Sequence, residues 1–133
     1  MTKFYLAARY SRRAEMVRYS VELLDRGGHE VTSRWIEGAH RIPKGRGVDE
    51  DEARRFALED LADIDAADVV LCFTEEAGTP HTRGGRHVEF GYALARGKRC
   101  YCIGPCENVF YWLLDVPQYL TFEGFWSQAG RYL

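Results

Sequence analysis

The chain has no long hydrophobic run: its most apolar stretch, "VVLCF" at residues 69 to 73, falls far short of the roughly 20 residues a membrane-crossing helix needs. It has no excess of charge of either sign. A formal net charge of -2 with both signs scattered leaves no broad electrostatic footprint for duplex nucleic acid or for an anionic membrane surface. It also lacks metal-ligand spacing. Cys72, Cys100, Cys102 and Cys106 form no Cys-x2-Cys pair, and His81 and His87 stand six apart, so no metal is expected. No charged-then-apolar leader opens the sequence, so the thiols are read as buried rather than as a disulfide frame, and the expected location is the cytoplasm. Neither repeat, linker nor low-complexity segment interrupts the 133 residues, which therefore read as one domain, 1–133.

What remains is a composition suited to a packed core, 46% apolar and 14% aromatic with 29% charged, which excludes disorder. "KFYLA" reads as a first strand. Ser11 then caps a helix whose Ala14, Val17, Val21 and Leu24 fall on one face. "HEVTSRWI" alternates as a second strand, and residues 37 to 48, rich in glycine and cations, form a loop. Asp49 caps the next helix, with Phe56, Leu58 and Leu61 as its apolar contacts. "ADVVLCFT" has the near-continuous apolar character of a central strand. A helix over about Gly85 to Arg96 is stopped by Gly97 and followed by the strand "RCYCIG". A short helix at "NVFYWLL", an edge strand at "YLTF" and a last helix complete the chain. This order predicts an α/β sandwich around a parallel sheet, with a ligand at the carboxyl ends of the strands.

That edge gathers "ARYSRR", "TEEAGTPHTRGG" and "GPCEN". Gly84 and Gly85 allow close backbone approach at a helix start, whose free amides suit a phosphate or another anion. Arg9, Arg12 and Arg13 with Ser11, and Arg83, are candidate anion contacts. Tyr5, Tyr10 and Trp35 are aromatic surfaces for a flat ligand or ordinary core residues. Glu89 lies one turn into the helix: the dipole favours its charge and burial opposes it. It is either a reactive carboxylate or the ion-pair partner of Arg86, Arg96 or a subunit neighbour. Asp60, near the end of its helix, is a second acid, and two carboxyl groups facing one ligand can divide nucleophile and general-acid work at a glycosidic carbon.

"DLADIDAADVVLCF" followed by "GGRHVEFGYALARGKRCYCIG" resembles the nucleoside 2-deoxyribosyltransferase family, which includes the 2'-deoxynucleoside 5'-monophosphate N-hydrolases. The resemblance runs from "FYLAARYSRR" to "GPCENVFYWL" and is most specific at "GGRHVEFGYAL". It implies a flavodoxin-like, Rossmann-like three-layer sandwich with a central parallel sheet of about five strands. It implies Glu89 as the nucleophile at the anomeric carbon and Asp60 as the acid assisting departure of the base, with no cofactor. It implies a nucleoside or nucleotide as ligand, and a homodimer or higher homo-oligomer in which Asn108 completes a neighbouring site. Phe110, Tyr111, Trp112 and Trp126 are candidate apolar anchors for that assembly. The tyrosine that the family places near its nucleophile aligns with Phe4, leaving Tyr5 and Tyr10 as substitutes. Arg83, six residues before Glu89, leans toward a phosphate-bearing substrate.

The expectation is cleavage of the N-glycosidic bond of a nucleoside or its 5'-monophosphate, by hydrolysis or by transfer to another base. The substrate-binding candidates are Phe4, Tyr5, Arg9, Tyr10, Ser11, Arg83, Gly84, Gly85 and Asn108. The alternatives are a non-catalytic nucleotide-binding sensor, in which Glu89 grips ribose hydroxyls, and an interaction module that leaves both acids idle.

Overall fold

The computed structural model describes residues 1–38, 49–80 and 83–133. Among them, five parallel strands form one sheet: β1 (Lys3–Ala7), β2 (Glu30–Val31), β3 (Val69–Phe73), β4 (Arg99–Ile103) and β5 (Gln118–Tyr119). Their order is β2-β1-β3-β4-β5. The helices are α1 (Arg13–Gly27), α2 (Glu50–Ala66), α3 (Gly85–Ala95) and α4 (Phe122–Gln128). The expected three-layer α/β sandwich is present, and β3, buried at every position, is its centre, as a parallel strand covered on both faces must be.

Strand alternation divides the core. Phe4, Leu6, Leu71, Phe73, Tyr101 and Ile103 point to one side of the sheet by register. There α1 and α4 supply the aromatic packing: Tyr19 stacks on Phe73 and Phe122 at 5.3 and 4.3 Å, and Phe125 meets Phe4 and Tyr101 edge-on. Tyr5, Ala7, Val70, Cys72, Cys100 and Cys102 face the other side. That side carries the acids discussed below. All four cysteines are free thiols, three of them buried.

Three local readings are corrected. The helix α1 does not bury Ala14, Val17, Val21 and Leu24; the last three are 37%, 51% and 59% exposed, while Met16 and Leu23 are fully buried. The helix is rotated so that Tyr19 can enter the aromatic stack, and the second apolar stripe is left outside. Ser11 is exposed within a 3-10 turn at Tyr10–Arg12, and Arg12 occupies the cap position of α1 without a side-chain hydrogen bond. The second strand ends at Val31, because Arg34–Glu37 coils into a 3-10 turn. Side chains there replace the backbone ladder: the Leu6 amide donates to Ser33 Oγ at 2.6 Å, and Trp35 Nε1 donates to the Leu6 carbonyl at 2.8 Å.

The helix α2 starts as expected, with Asp49 accepting from the Glu52 amide. Phe56 is buried but Leu58 is 68% exposed, which removes it from the predicted apolar face. Most of the loop expected over 37–48, together with His81, falls outside the described residues.

Candidate active site

The connections of the sheet diverge between β1 and β3: β1 leads outward to β2, and β3 leads the opposite way to β4. A parallel sheet opens a crevice at such a reversal. Into it come the turn after β1 and the loop between β3 and α3. The helix α3 begins at Gly84, whose φ of +82° is a backbone state that favours glycine. Among the described residues no side chain caps this helix start, and a side chain added at Gly85 would meet open space. The His87 amide donates to the Gly84 carbonyl at 2.9 Å, which leaves the Gly85 and Arg86 amides as those suited to an anion. Phe90 and Ala93 bury the inner face of α3, and this anchorage holds Glu89 one turn from the open end.

Glu89, Tyr5 and Asp60 form one electrostatic unit. Burial, reinforced by the negative charge of Asp60, pushes the Glu89 carboxyl up to about 8, and the nearby Tyr5 hydroxyl opposes the rise. Tyr5 is fully buried, and its hydroxyl is raised well above its ordinary value by burial and then by the charges of Glu89 and Asp60. Among the described residues no acceptor meets full hydrogen-bond geometry at that hydroxyl; the Glu89 carboxyl is close enough for each group to act on the other. Two acids are thus coupled so that ionising one disfavours ionising the other.

The salt-bridge alternative for Glu89 finds different partners in place. Arg86 pairs with Glu107, and Arg96 pairs with Asp65 at 3.0 Å. Strand parity also separates the tyrosine candidates. Phe4 turns to the opposite face, against His29 and Phe125. It is a core residue, and Tyr5 is the strand-one side chain beside Glu89. Tyr10 donates from its hydroxyl to the Gly38 carbonyl and leans on Trp35.

Most of the arginines are occupied internally. Arg12 binds Glu15 and Glu75, each at 2.8 Å, and also the Thr74 carbonyl. Arg13 donates to the Ile36 carbonyl at 2.7 Å. Arg9 reaches the Pro80 carbonyl at 3.4 Å and lies 3.7 Å from Glu75. Arg83 is exposed, one residue before Gly84. Asn108 caps a 3-10 turn at Val109–Trp112 through the Phe110 amide, and its Nδ2 lies 3.5 Å from His87 Nδ1.

One cluster was not anticipated. Glu107, just past β4, accepts from the Glu75 amide at 2.9 Å, from Arg86 and, at 3.2 Å, from His87 Nε2. His87 Nδ1 lies 3.0 Å from the Tyr111 hydroxyl, and the Tyr111 ring stacks on Phe90 at 4.2 Å. The signal available in sequence was an acid directly after a strand end, at "GPCEN"; nothing local said which cation it would meet. Close packing beneath the cluster comes from Gly104, whose φ is +120° and where an added Cβ would lie 2.6 Å from Thr74 Oγ1.

Residues 4–116 match the nucleoside 2-deoxyribosyltransferase family. No curated protein shows significant similarity. Among solved structures, the CMP N-glycosidase of Clostridium botulinum is 19% identical, covering 94% of this chain and 95% of its own, with a TM-score of 0.58. A 2-deoxyribosyltransferase from Bacillus psychrosaccharolyticus is 20% identical over 81% of this chain and 78% of its own, with a TM-score of 0.59. A conserved protein from Enterococcus faecalis is 20% identical over 90% and 82%, with a TM-score of 0.55. These likenesses support the fold.

Proposed function

The chain belongs to the nucleoside 2-deoxyribosyltransferase family, and from that membership we propose that it cleaves the N-glycosidic bond of a nucleoside or nucleoside 5'-monophosphate, with Glu89 as nucleophile and Asp60 as general acid. The observation that carries this reading is the electrostatic coupling of Glu89 to Asp60, two partly buried acids beside the Tyr5 hydroxyl. A pair that cannot readily hold two charges holds one proton and one charge near neutral pH. The raised Glu89 value puts that proton on Glu89 at rest, and the reaction draws on the form in which it has moved to Asp60.

When the proton resides on Asp60, the Glu89 carboxylate attacks the anomeric carbon, the bond from that carbon to the base nitrogen breaks, and the Asp60 proton passes to the departing base. The product is a glycosyl ester on Glu89. Asp60, now ionised, takes a proton from water or from an incoming base, whose attack on the anomeric carbon releases Glu89. The positive charge that develops on the sugar is met by the poorly solvated Glu89 carboxylate, which interacts more strongly there than it would in water. No cofactor enters this scheme.

Arg83 and the glycine-entered start of α3 support a 5'-phosphate on the substrate. Arg86, drawn to Glu107, is not the cation we assign to it. A second copy of the chain fits the apolar surface beside Asn108, where Val109, Phe110, Trp112 and Leu114 are 61–102% exposed. Tyr111 is buried against Phe90 and Trp126 packs against His29, so the anchors are these exposed neighbours instead. No described helix is long and apolar enough to cross a membrane, in keeping with the cytoplasmic location we propose.

Incubation with a panel of nucleosides and 5'-monophosphates, with free base measured by chromatography, tests the reading. Base release that vanishes in Glu89→Ala supports it; release that persists unchanged in that variant removes Glu89 from the mechanism. Adding an acceptor base separates hydrolysis from transfer.

A further inference from the structure

Three segments at the carboxyl edge of the sheet meet at one carboxylate. Glu107 follows β4, Glu75 follows β3, and Arg86 and His87 belong to the first turn of α3. The Glu107 side chain is 17% exposed and receives hydrogen bonds from all three of those residues. Arg86 is nearly inaccessible, at 4% exposure, and among the described residues its Nε has no partner. Its buried charge is therefore balanced by Glu107, and a buried cation deprived of its counter-ion must draw in water or move. Either response displaces the start of α3. Glu89 stands three residues farther along the same helix, and Asn108 is the chain neighbour of Glu107.

We propose that Glu107 is a positioning residue: by pairing with Arg86 and His87 while holding the Glu75 amide, it fixes the start of α3 and so sets the aim of Glu89. This role rests on Glu89 being the nucleophile. Glu107 acts through Arg86 and makes no contact with the reacting atoms. The carboxylate suits the task because desolvation, which disfavours its charge, is outweighed by the Glu75 amide and the neighbouring Arg86 and His87, and its carboxyl is held below the ordinary range. Misplacing a reacting group by about 1 Å lowers a rate by about 100-fold.

The variants are Glu107→Gln, which keeps an acceptor for Glu75 but removes the charge, and Glu107→Asp, which keeps the charge with a shorter reach and serves if the amide variant fails to fold. Base release should show kcat lowered about 10- to 100-fold in Glu107→Gln with KM within about threefold, since the loss falls on the chemical step. Combining Glu107→Gln with Arg86→Met removes the uncompensated charge and should recover about tenfold of the lost kcat. A second measurement needs no turnover: amide hydrogen exchange by NMR should accelerate at His87, Glu89 and Tyr111 in Glu107→Gln while the β1 and β3 amides keep their rates. An unchanged kcat, a purely KM effect, no rescue by the double variant, or unchanged exchange at those amides overturns the role of Glu107. Absence of base release by the unmodified protein overturns the proposed reaction instead, and the exchange measurement then decides whether Glu107 holds α3.

Discussion

Replacing Glu89 by glutamine should make the protein more stable, and the gain should grow with pH. The folded-state carboxyl ionises at about 8, against 4.5 for an unperturbed glutamate. Below 4.5 both folded and unfolded chains carry the proton and stability is insensitive to it. Between 4.5 and about 8 the folded state keeps a proton that the unfolded state has lost, so stability falls as pH rises, by about 1.4 kcal/mol for each pH unit. Above 8 the whole penalty, roughly 5 kcal/mol, is present. Glutamine keeps the shape and carries no charge, so its other effects are independent of pH and cancel in a comparison across pH. Urea unfolding of both proteins at pH 5 and pH 9 should show the stability difference, variant minus unmodified, increasing by about 4 kcal/mol. A difference that stays constant to within about 1 kcal/mol would show that the Glu89 carboxyl is hydrated in the folded state, and would remove the desolvated nucleophile from the argument.

Tyr5→Phe removes the neighbouring hydroxyl that lowers the Glu89 pKa, and Asp60→Asn removes the charge that raises it. The Glu89 titration, followed by 13C NMR of labelled carboxyl carbons, should move up in the first variant and down in the second; movement in the same direction would contradict the coupling described. Gly104→Ala forces a side chain into 2.6 Å contact with Thr74 Oγ1 at a φ of +120°, and should cost about 1–3 kcal/mol in urea unfolding. Trp112→Ser combined with Leu114→Ser should shift sedimentation toward the monomer without changing the circular dichroism, if this exposed edge is where copies meet.

Where the sequence was readable, a local rule and the tertiary packing asked for the same thing. The run "VVLCF" became the buried central strand, and the glycines flanking "RHVEFGYALA" became the ends of α3. Where they disagreed, packing decided. The stripe Val17, Val21 and Leu24 has helical spacing, but so do Met16, Tyr19 and Leu23, and it is the latter that turn inward, Met16 and Leu23 fully buried and Tyr19 stacked on Phe73. The second strand stopped early because Ser33 and Trp35 satisfy Leu6 through their side chains, an option that alternation does not register. At the site, one position of strand parity separates Phe4 from Tyr5 and sends them to opposite faces, which a loose alignment of strand one misses. The pairing of Arg86 with Glu107 spans 21 residues, and no spacing rule links a helix start to the end of a later strand.

The sheet also carries a consequence at its margins. Among the described residues both outer strands, β2 and β5, are two residues long, so each edge they form presents very little unpaired backbone. An extended peptide, or the edge of another molecule, gains few main-chain hydrogen bonds by lying alongside. The protein is thereby shielded from indiscriminate accretion strand upon strand. Encounters between copies are left to side-chain surfaces, where shape and residue identity choose the neighbour.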